Sequence, residues 1–259
     1  LKELVEISTD LCDRFVIGHE IGEGGYEHYQ GRFVFKVPKE IATLCNQYGF
    51  SKNRAGHWSP THVRDFKYCE KEGNFYRSWE GGLAKYGMVT LRPWQTEFLE
   101  KFKAQDDRRV LCIYDPIGNS GKTFMAKHLQ VTRLAQYVPP MGEALDLMAF
   151  ALEKQAHGYL FDMPRAESIK QKKGMWSAVE QIKNGYVYDK RYKFRDMWTE
   201  PPRVAVFCND LPDPATLSDD RWEVYKICRV LGDVKGLQRM APIYDADGEG
   251  GNTWIEVAN

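Results

Sequence analysis

Apolar positions recur at helical spacing through residues 1–12 (Leu1, Leu4, Val5, Leu11), which predicts an opening helix. Residues 14–19 and 30–37 read as two strands joined by the Gly-rich turn Gly22-Glu23-Gly24-Gly25, and Pro38 stops the second. Residues 39–48 form a short helix candidate with Ile41, Leu44 and Cys45 on one side. A further helix is expected after Ser59, with Pro60 at its first position, running to about Glu72 ahead of Gly73. Gly81-Gly82 and the segment up to Pro93 mark a boundary. Residues 94–102 are helical again through Trp94, Phe98, Leu99 and Phe102.

The second half alternates strand and helix in the manner of a parallel sheet. The strand-like run 110–114 is followed by a Gly-rich segment and a helical pattern at 124–130. After Pro139-Pro140 come a helix at 144–154, a strand at 158–161 ending at Asp162, a helix at 177–183 and a strand at 204–208 ending at Asn209. From about 224 the chain has strand-like pieces, then a Gly-Asp-rich stretch at 245–251 expected to be exposed. No internal repeat is visible. The expected class is α/β: an α+β front domain, then a parallel-sheet domain.

With 259 residues the chain has room for two domains. Its 36 basic and 36 acidic side chains balance, so net charge does not advertise a nucleic-acid partner; local patches would have to do that. The six Cys lack paired metal-type spacing and read as reduced, buried thiols of an intracellular protein. No apolar run reaches membrane-spanning length and no secretory signal is seen.

The chemistry concentrates in Asp115-Pro116-Ile117-Gly118-Asn119-Ser120-Gly121-Lys122-Thr123, between a strand and a helix. In that context the amides of Gly118, Asn119, Ser120 and Gly121 suit phosphate binding, with Lys122 reaching the outer phosphates and Thr123 holding Mg2+. Pro116 departs from the usual pattern, which has Gly there. Asp162 and Asn209 end later strands, where a carboxylate can hold Mg2+ and an amide can orient a water or sense the γ-phosphate. ATP is the cofactor these residues imply.

In the front half, His28 and Gln30 are two apart in or beside a strand and face one way. Glu20 ends the preceding strand and can meet them. An imidazole, an amide oxygen and a carboxylate make a set suited to Mg2+ or Mn2+. Tyr68 and Lys71, three apart on the expected helix, share a face. A tyrosine hydroxyl needs help to attack a phosphodiester, and a metal or a nearby ammonium supplies it.

Residues 115–123, Phe161-Asp162-Met163-Pro164-Arg165 and residues 204–209 resemble the three nucleotide-site motifs of superfamily-3 helicases. Glu20, His28-Tyr29-Gln30-Gly31 and Tyr68-Cys69-Glu70-Lys71-Glu72-Gly73 resemble the metal and nicking motifs of replication-initiator proteins from small circular single-stranded DNA viruses and their satellites. Both sets occur in the family's order, over roughly residues 10–230.

The resemblance implies a His-hydrophobe-His type endonuclease at 1–88, built on a central antiparallel sheet. It implies a P-loop ATPase of the AAA+-like type at 89–230 and a tail at 231–259. Tyr68 would attack an origin phosphate and stay on the 5′ end, assisted by Lys71, with Glu20, His28 and Gln30 on the metal. Thr123 and Asp162 would serve a second Mg2+. Residues 183–193 resemble the family's pore-loop hairpin, so Lys183, Lys190, Arg191 and Lys193 are expected to contact DNA, Lys190 first. Its alternating cations and aromatics suit a strand-tracking element. Arg221 matches a family arginine near this domain's end and is assigned as an arginine finger.

Expected partners are single-stranded DNA, an origin hairpin and further copies of the chain, a hexameric ring suspected, in a host nucleus; no membrane is expected. The family opens with a strand ahead of the first helix, and the sequence is expected to be a fragment lacking it. Competing readings are an ATP-dependent helicase with an inactive DNA-binding front domain, and a non-catalytic nucleotide-regulated DNA-binding protein.

Overall fold

The computed structural model describes residues 1–22, 24–47, 58–165, 173–230, 233–244 and 252–257. The expected exposed stretch 245–251, Glu23 of the Gly-rich turn and the Cys45 side chain lie outside the described residues. The chain divides into two compact units, Leu1–Val89 and Thr90–Asn259.

In the first unit, helix α1 (Lys2–Leu11) leads into strand β1 (Cys12–Ile21), which pairs antiparallel with β2 (Glu27–Phe35) and β3 (Phe75–Arg77). The sheet order is β2-β1-β3. Alternation divides its faces: Phe15 and Ile17 pack with Leu4, Val5, Leu11 and Phe33 on the α1 side. Val16 turns the other way onto Cys69, Phe75, Phe66 and Trp79. A short helix α2 (Ile41–Gln47) follows β2.

The expected helix over 60–72 does not form. Residues 58–66 carry no regular structure, and only a 3₁₀ turn at Lys67–Glu70 appears. Phe66 and Cys69 account for the change: they anchor this segment to the sheet at single points, which an extended chain with one tight turn can satisfy. A second 3₁₀ stretch, Ser78–Tyr86, breaks at Gly81 (φ 54°).

The second unit is built on a seven-stranded mixed sheet of order β12-β11-β10-β4-β9-β6-β5. Strands β4 (Val110–Tyr114), β5 (Gln136–Val138), β6 (Gly158–Asp162), β9 (Arg203–Cys208) and β10 (Trp222–Val230) run parallel. β11 (Asp233–Ile243) and β12 (Thr253–Glu256) complete it antiparallel, so the chain beyond 230 carries sheet. Leu111 and Ile113 of β4 pack with helices α3 (Pro93–Lys103) and α4 (Lys122–Val131) through Trp94, Phe98, Phe102, Met125 and Leu129. Val110 and Cys112 face helices α5 (Ala144–Glu153) and α6 (Lys173–Lys183) through Leu147, Met148, Trp176 and Val179. Each fully buried Leu, Ile or Phe contributes roughly 2 kcal/mol, and β4, buried on both faces, supplies an apolar run in place of alternation. Strands β7 (Tyr186–Asp189) and β8 (Arg195–Trp198) form a separate hairpin.

Candidate functional site

In the first unit the register places His28 opposite Glu20 and Gln30 opposite Gly18, so all three side chains share the face that carries Val16. Glu20 is buried (5% exposed). Its Oε2 lies 3.3 Å from His28 Nε2 and 3.0 Å from Lys71 Nζ. With its nitrogen turned inward, the Gln30 amide donates to both Glu20 oxygens, at 3.1 and 3.3 Å. Lys71 Nζ sits 4.5 Å from the centre of the Tyr68 ring. The bond to Glu20 pushes the Lys71 ammonium pKa up against a smaller opposing effect of burial, and Tyr68 adds to the rise. Tyr68 itself is 61% exposed.

Lys71 therefore meets Glu20 and has Tyr68 beside it, on and just after a 3₁₀ turn instead of on an α-helix. Residues three apart eclipse in that geometry, which preserves the shared face. Two residues that sequence reasoning gave no role hold the turn. A Cβ at Gly18 would overlap the Cys69 carbonyl, so only glycine lets the turn approach the sheet this closely. Arg77 (4% exposed) clamps Glu70 through Nε and Nη2, both at 2.8 Å. Gly18 carried no signal ahead of the register, and Arg77 none at all.

Among the described residues no group of three or more His, Cys, Asp or Glu side chains is placed to hold a metal. The donor set here is one carboxylate, one imidazole and one amide. That chemistry fits a hard divalent ion, and Glu20 already draws the Lys71 ammonium to the place such an ion would take.

In the second unit β4, β9 and β6 end side by side, and Asp115, Asn209 and Asp162 lie at their carboxyl edges, where open parallel sheets bind ligands. The loop between β4 and α4 is left-handed at Gly118 (φ 87°), Asn119 (φ 57°) and Gly121 (φ 91°), the kind of backbone that gathers N–H groups around an anion. Asp115 Oδ1 accepts from the amides of Ile117 (3.2 Å) and Gly118 (3.0 Å). That side-chain turn closes the loop at Pro116, where glycine is usual.

Lys122 (8% exposed) donates to Asn209 Oδ1 at 2.9 Å and lies 3.5 Å from Asp115 Oδ2. Thr123 Oγ1 donates to Asp162 Oδ2 at 3.1 Å. Burial pushes the Asp162 carboxyl pKa up, against the pull of Thr123 and Lys122. For Asp115 burial also acts upward, but the nearby Ser120 hydroxyl, the Gly118 amide and the charges of Lys122 and Arg229 bring it below the ordinary value. A cleft of about 540 Å³ opens over residues 118–124, with Tyr137, Asp162, Arg165 and Asn209 in its wall.

Lys190, Arg191 and Lys193 lie in the exposed connection between β7 and β8. Tyr192 there is 99% exposed, and Phe194 and Trp198 are also exposed. Arg191 is tied to Asp189 (3.0 Å) and Asp146 (3.2 Å) yet stays half exposed. Lys183 departs from the DNA-contact expectation. It is 1% exposed, and its ammonium donates to Gln105 Oε1, Asp106 O and Pro202 O at 3.1, 2.6 and 3.1 Å. Arg221 departs likewise. It is 3% exposed, with Nη2 on Asn184 Oδ1 (2.8 Å) and Nε 3.1 Å from Glu180. A finger must reach outward, and this side chain braces the end of α6.

These features define a two-unit α/β chain with a tyrosine beside a carboxylate–imidazole–amide set in one unit and a glycine-rich strand-to-helix loop in the other. No family model matches it. It is 32% identical over 211 residues to the master replication protein of milk vetch dwarf virus, covering 77% of this chain and 68% of that protein. It is 35% identical over 135 residues to Para-Rep C6 of the subterranean clover stunt C6 alphasatellite, covering 51% and 46%. To the master replication protein of subterranean clover stunt virus it is 36% identical over 189 residues, covering 72% and 58%. The chain belongs to the replication-initiator protein family of small circular single-stranded DNA viruses and their satellites. Its matches span about half to two thirds of the length of these relatives.

Proposed function

We propose that the chain is a replication initiator that nicks and rejoins single-stranded DNA through Tyr68 and unwinds DNA with ATP. The observation that carries this reading is the meeting of His28, Gln30 and Lys71 on Glu20, with Tyr68 against Lys71, in the same chain as Lys122, Thr123, Asp162 and Asn209. The Tyr68 oxygen attacks the scissile phosphorus, a tyrosyl-phosphate ester forms at the 5′ end, and the 3′ oxygen leaves as a hydroxyl. Lys71 holds positive charge beside the phenol, where the attacked phosphate gathers negative charge. Reversal by a 3′ hydroxyl frees the tyrosine and reseals the strand. Glu20, His28 and Gln30 would hold Mg2+ or Mn2+, which polarises the phosphate when bound.

In the second unit we read residues 118–123 as the P-loop of an AAA+-like ATPase. Lys122 leaves Asn209 and Asp115 for the outer phosphates, Thr123 and Asp162 would hold Mg2+, and Asn209 orients the attacking water. Lys190, Arg191 and Lys193, with Tyr192 and Phe194, track a single strand. Origin hairpin DNA as substrate, assembly into a ring and action in a host nucleus follow from the family.

A second reading, an ATPase with a DNA-binding front unit that does not cut, draws on the Lys71–Glu20 ion pair, which occupies the carboxylate a metal would need. Cleavage of a single-stranded origin-loop library with Mn2+ separates the two. A covalent protein–DNA adduct absent from Tyr68→Phe is expected. No adduct, with ATP turnover intact, would favour the second reading.

A further inference from the structure

A nest gathers backbone N–H groups around an anion, and a carbonyl oxygen turned into it would repel a phosphate. Here the loop carbonyls are taken up by arginines from three distant parts of the unit. Arg165 Nη2 donates to Pro116 O at 3.0 Å, Arg229 Nη2 donates to Gly118 O, and Arg92 Nη1 donates to Ser120 O at 3.0 Å. The Trp94 indole shares Ser120 O at 3.0 Å, and the Gln95 amide donates to Gly121 O at 3.1 Å. Every second carbonyl from 116 to 120 thus has a guanidinium on it.

Arg229 differs from the other two. It comes from the end of β10, where the pairing with β11 shifts register between Cys228 and Arg229. It also lies 3.5 Å from Asp115 Oδ1, the oxygen that receives the Ile117 and Gly118 amides. One side chain, 17% exposed, therefore grips both the carboxylate at the start of the loop and the carbonyl at its bend. Arg165 is exposed at the wall of the cleft, and Arg92 braces the far end before α3.

We propose that Arg229 is a positioning residue for the nucleotide site. It fixes the Gly118 carbonyl and the Asp115 carboxylate, with the Ile117 and Gly118 amides on it, away from the ligand, so that the loop amides beyond Gly118 meet the phosphates of a nucleoside triphosphate without rearranging. Because the strain of shaping the loop is met before binding, its loss weakens affinity and not the chemical step. This inference rests on the ATP-binding reading above.

The test uses the full chain and a fluorescent ATP analogue with Mg2+, alongside ATP turnover and thermal unfolding. Arg229→Met should raise Kd and KM by about tenfold or more, the scale of one charged hydrogen bond, with kcat nearly unchanged. Arg229→Lys should recover part of the loss. Arg108→Met removes a surface partner of Asp220 remote from the loop and should bind as the wild type does. Asp115→Asn combined with Arg229→Lys should cost less than the sum of the single changes. Equal affinity for wild type, Arg229→Lys and Arg229→Met overturns the proposal, as does a loss that only tracks the unfolded fraction. Should Arg229→Met not fold, Arg229→Lys and the Asp115 cycle decide alone. Failure of the wild type to bind the analogue would instead remove the ATP reading.

Discussion

Gly18 sets the place of the Tyr68–Lys71 turn through the side chain it lacks. The Cys69 carbonyl occupies the space of its missing Cβ, and Tyr68 and Lys71 flank that carbonyl. Gly18→Ala should push the 3₁₀ turn off the sheet and lower Tyr68–DNA adduct formation at least about tenfold, since near-ångström displacement of a nucleophile is costly. ATP turnover should not change; an unaltered adduct yield would show that the turn adapts.

Lys183 teaches the opposite lesson, since a basic stretch read as surface turned out to contain a core anchor. Burial pushes its ammonium pKa down to about 8 from 10.5, against the pull of Asp106 and Asp107. Below about pH 8 the folded and unfolded chains both hold the proton, and the fold bears the cost of the buried charge. Between 8 and 10.5 the folded state has released it and the unfolded state has not, so this residue's contribution to stability rises with pH. Measured against Lys183→Met, wild type should gain on the order of 3 kcal/mol in chemical denaturation across that window. A flat difference would mean that the three carbonyl partners keep the amine charged.

Among elements, those fixed by local periodicity were legible. The helix at 94–102, the buried strand at 110–114 and the strands ending at Asp162 and Asn209 all stand where their apolar patterns put them. Elements fixed by distant contacts were not. Residues 60–72 have the composition of a helix, but the anchors Phe66 and Cys69 and the Arg77–Glu70 clamp impose a tight turn. In the same way Glu20, His28, Gln30, Tyr68 and Lys71 could be picked as residues, while the support from Gly18 and Arg77 needed the fold. Arg77→Met would leave Glu70 without its bidentate partner and should cost about 3 kcal/mol of stability.

The β7–β8 hairpin opens to solvent through its connection and β8. Tyr188 stacks on Phe194 (6.3 Å) and Tyr186 lies tilted against Trp198 (4.7 Å), while Tyr192 is 99% exposed. Tyr192→Ala should leave the unfolding midpoint in place. In fluorescence anisotropy it should weaken binding of a labelled single strand by about 1–3 kcal/mol, the worth of one base–aromatic stack. Unaltered affinity would move the DNA path off this hairpin.

At the scale of the molecule the net charge is zero, so a DNA contact would have to come from a local arrangement, and the proposed sites lie in two separate units. The first carries a buried carboxylate ringed by Lys71, His28 and Gln30; the second carries a loop whose cation, Lys122, is parked on Asn209 and Asp115. Neither set contains a residue of the other unit. Lys122→Ala should therefore abolish ATP turnover and leave the Tyr68 adduct at its wild-type yield, while Tyr68→Phe should abolish the adduct and leave turnover unchanged. Chelation by EDTA should stop both, since each proposed site would hold a divalent ion, and Mn2+ should restore both. If Lys122→Ala lost the adduct in parallel with turnover, on a short single strand that needs no unwinding, the two chemistries would be coupled. The nuclease would then depend on the nucleotide state of the second unit, and nicking would become a step of the ATP cycle instead of an event that precedes it.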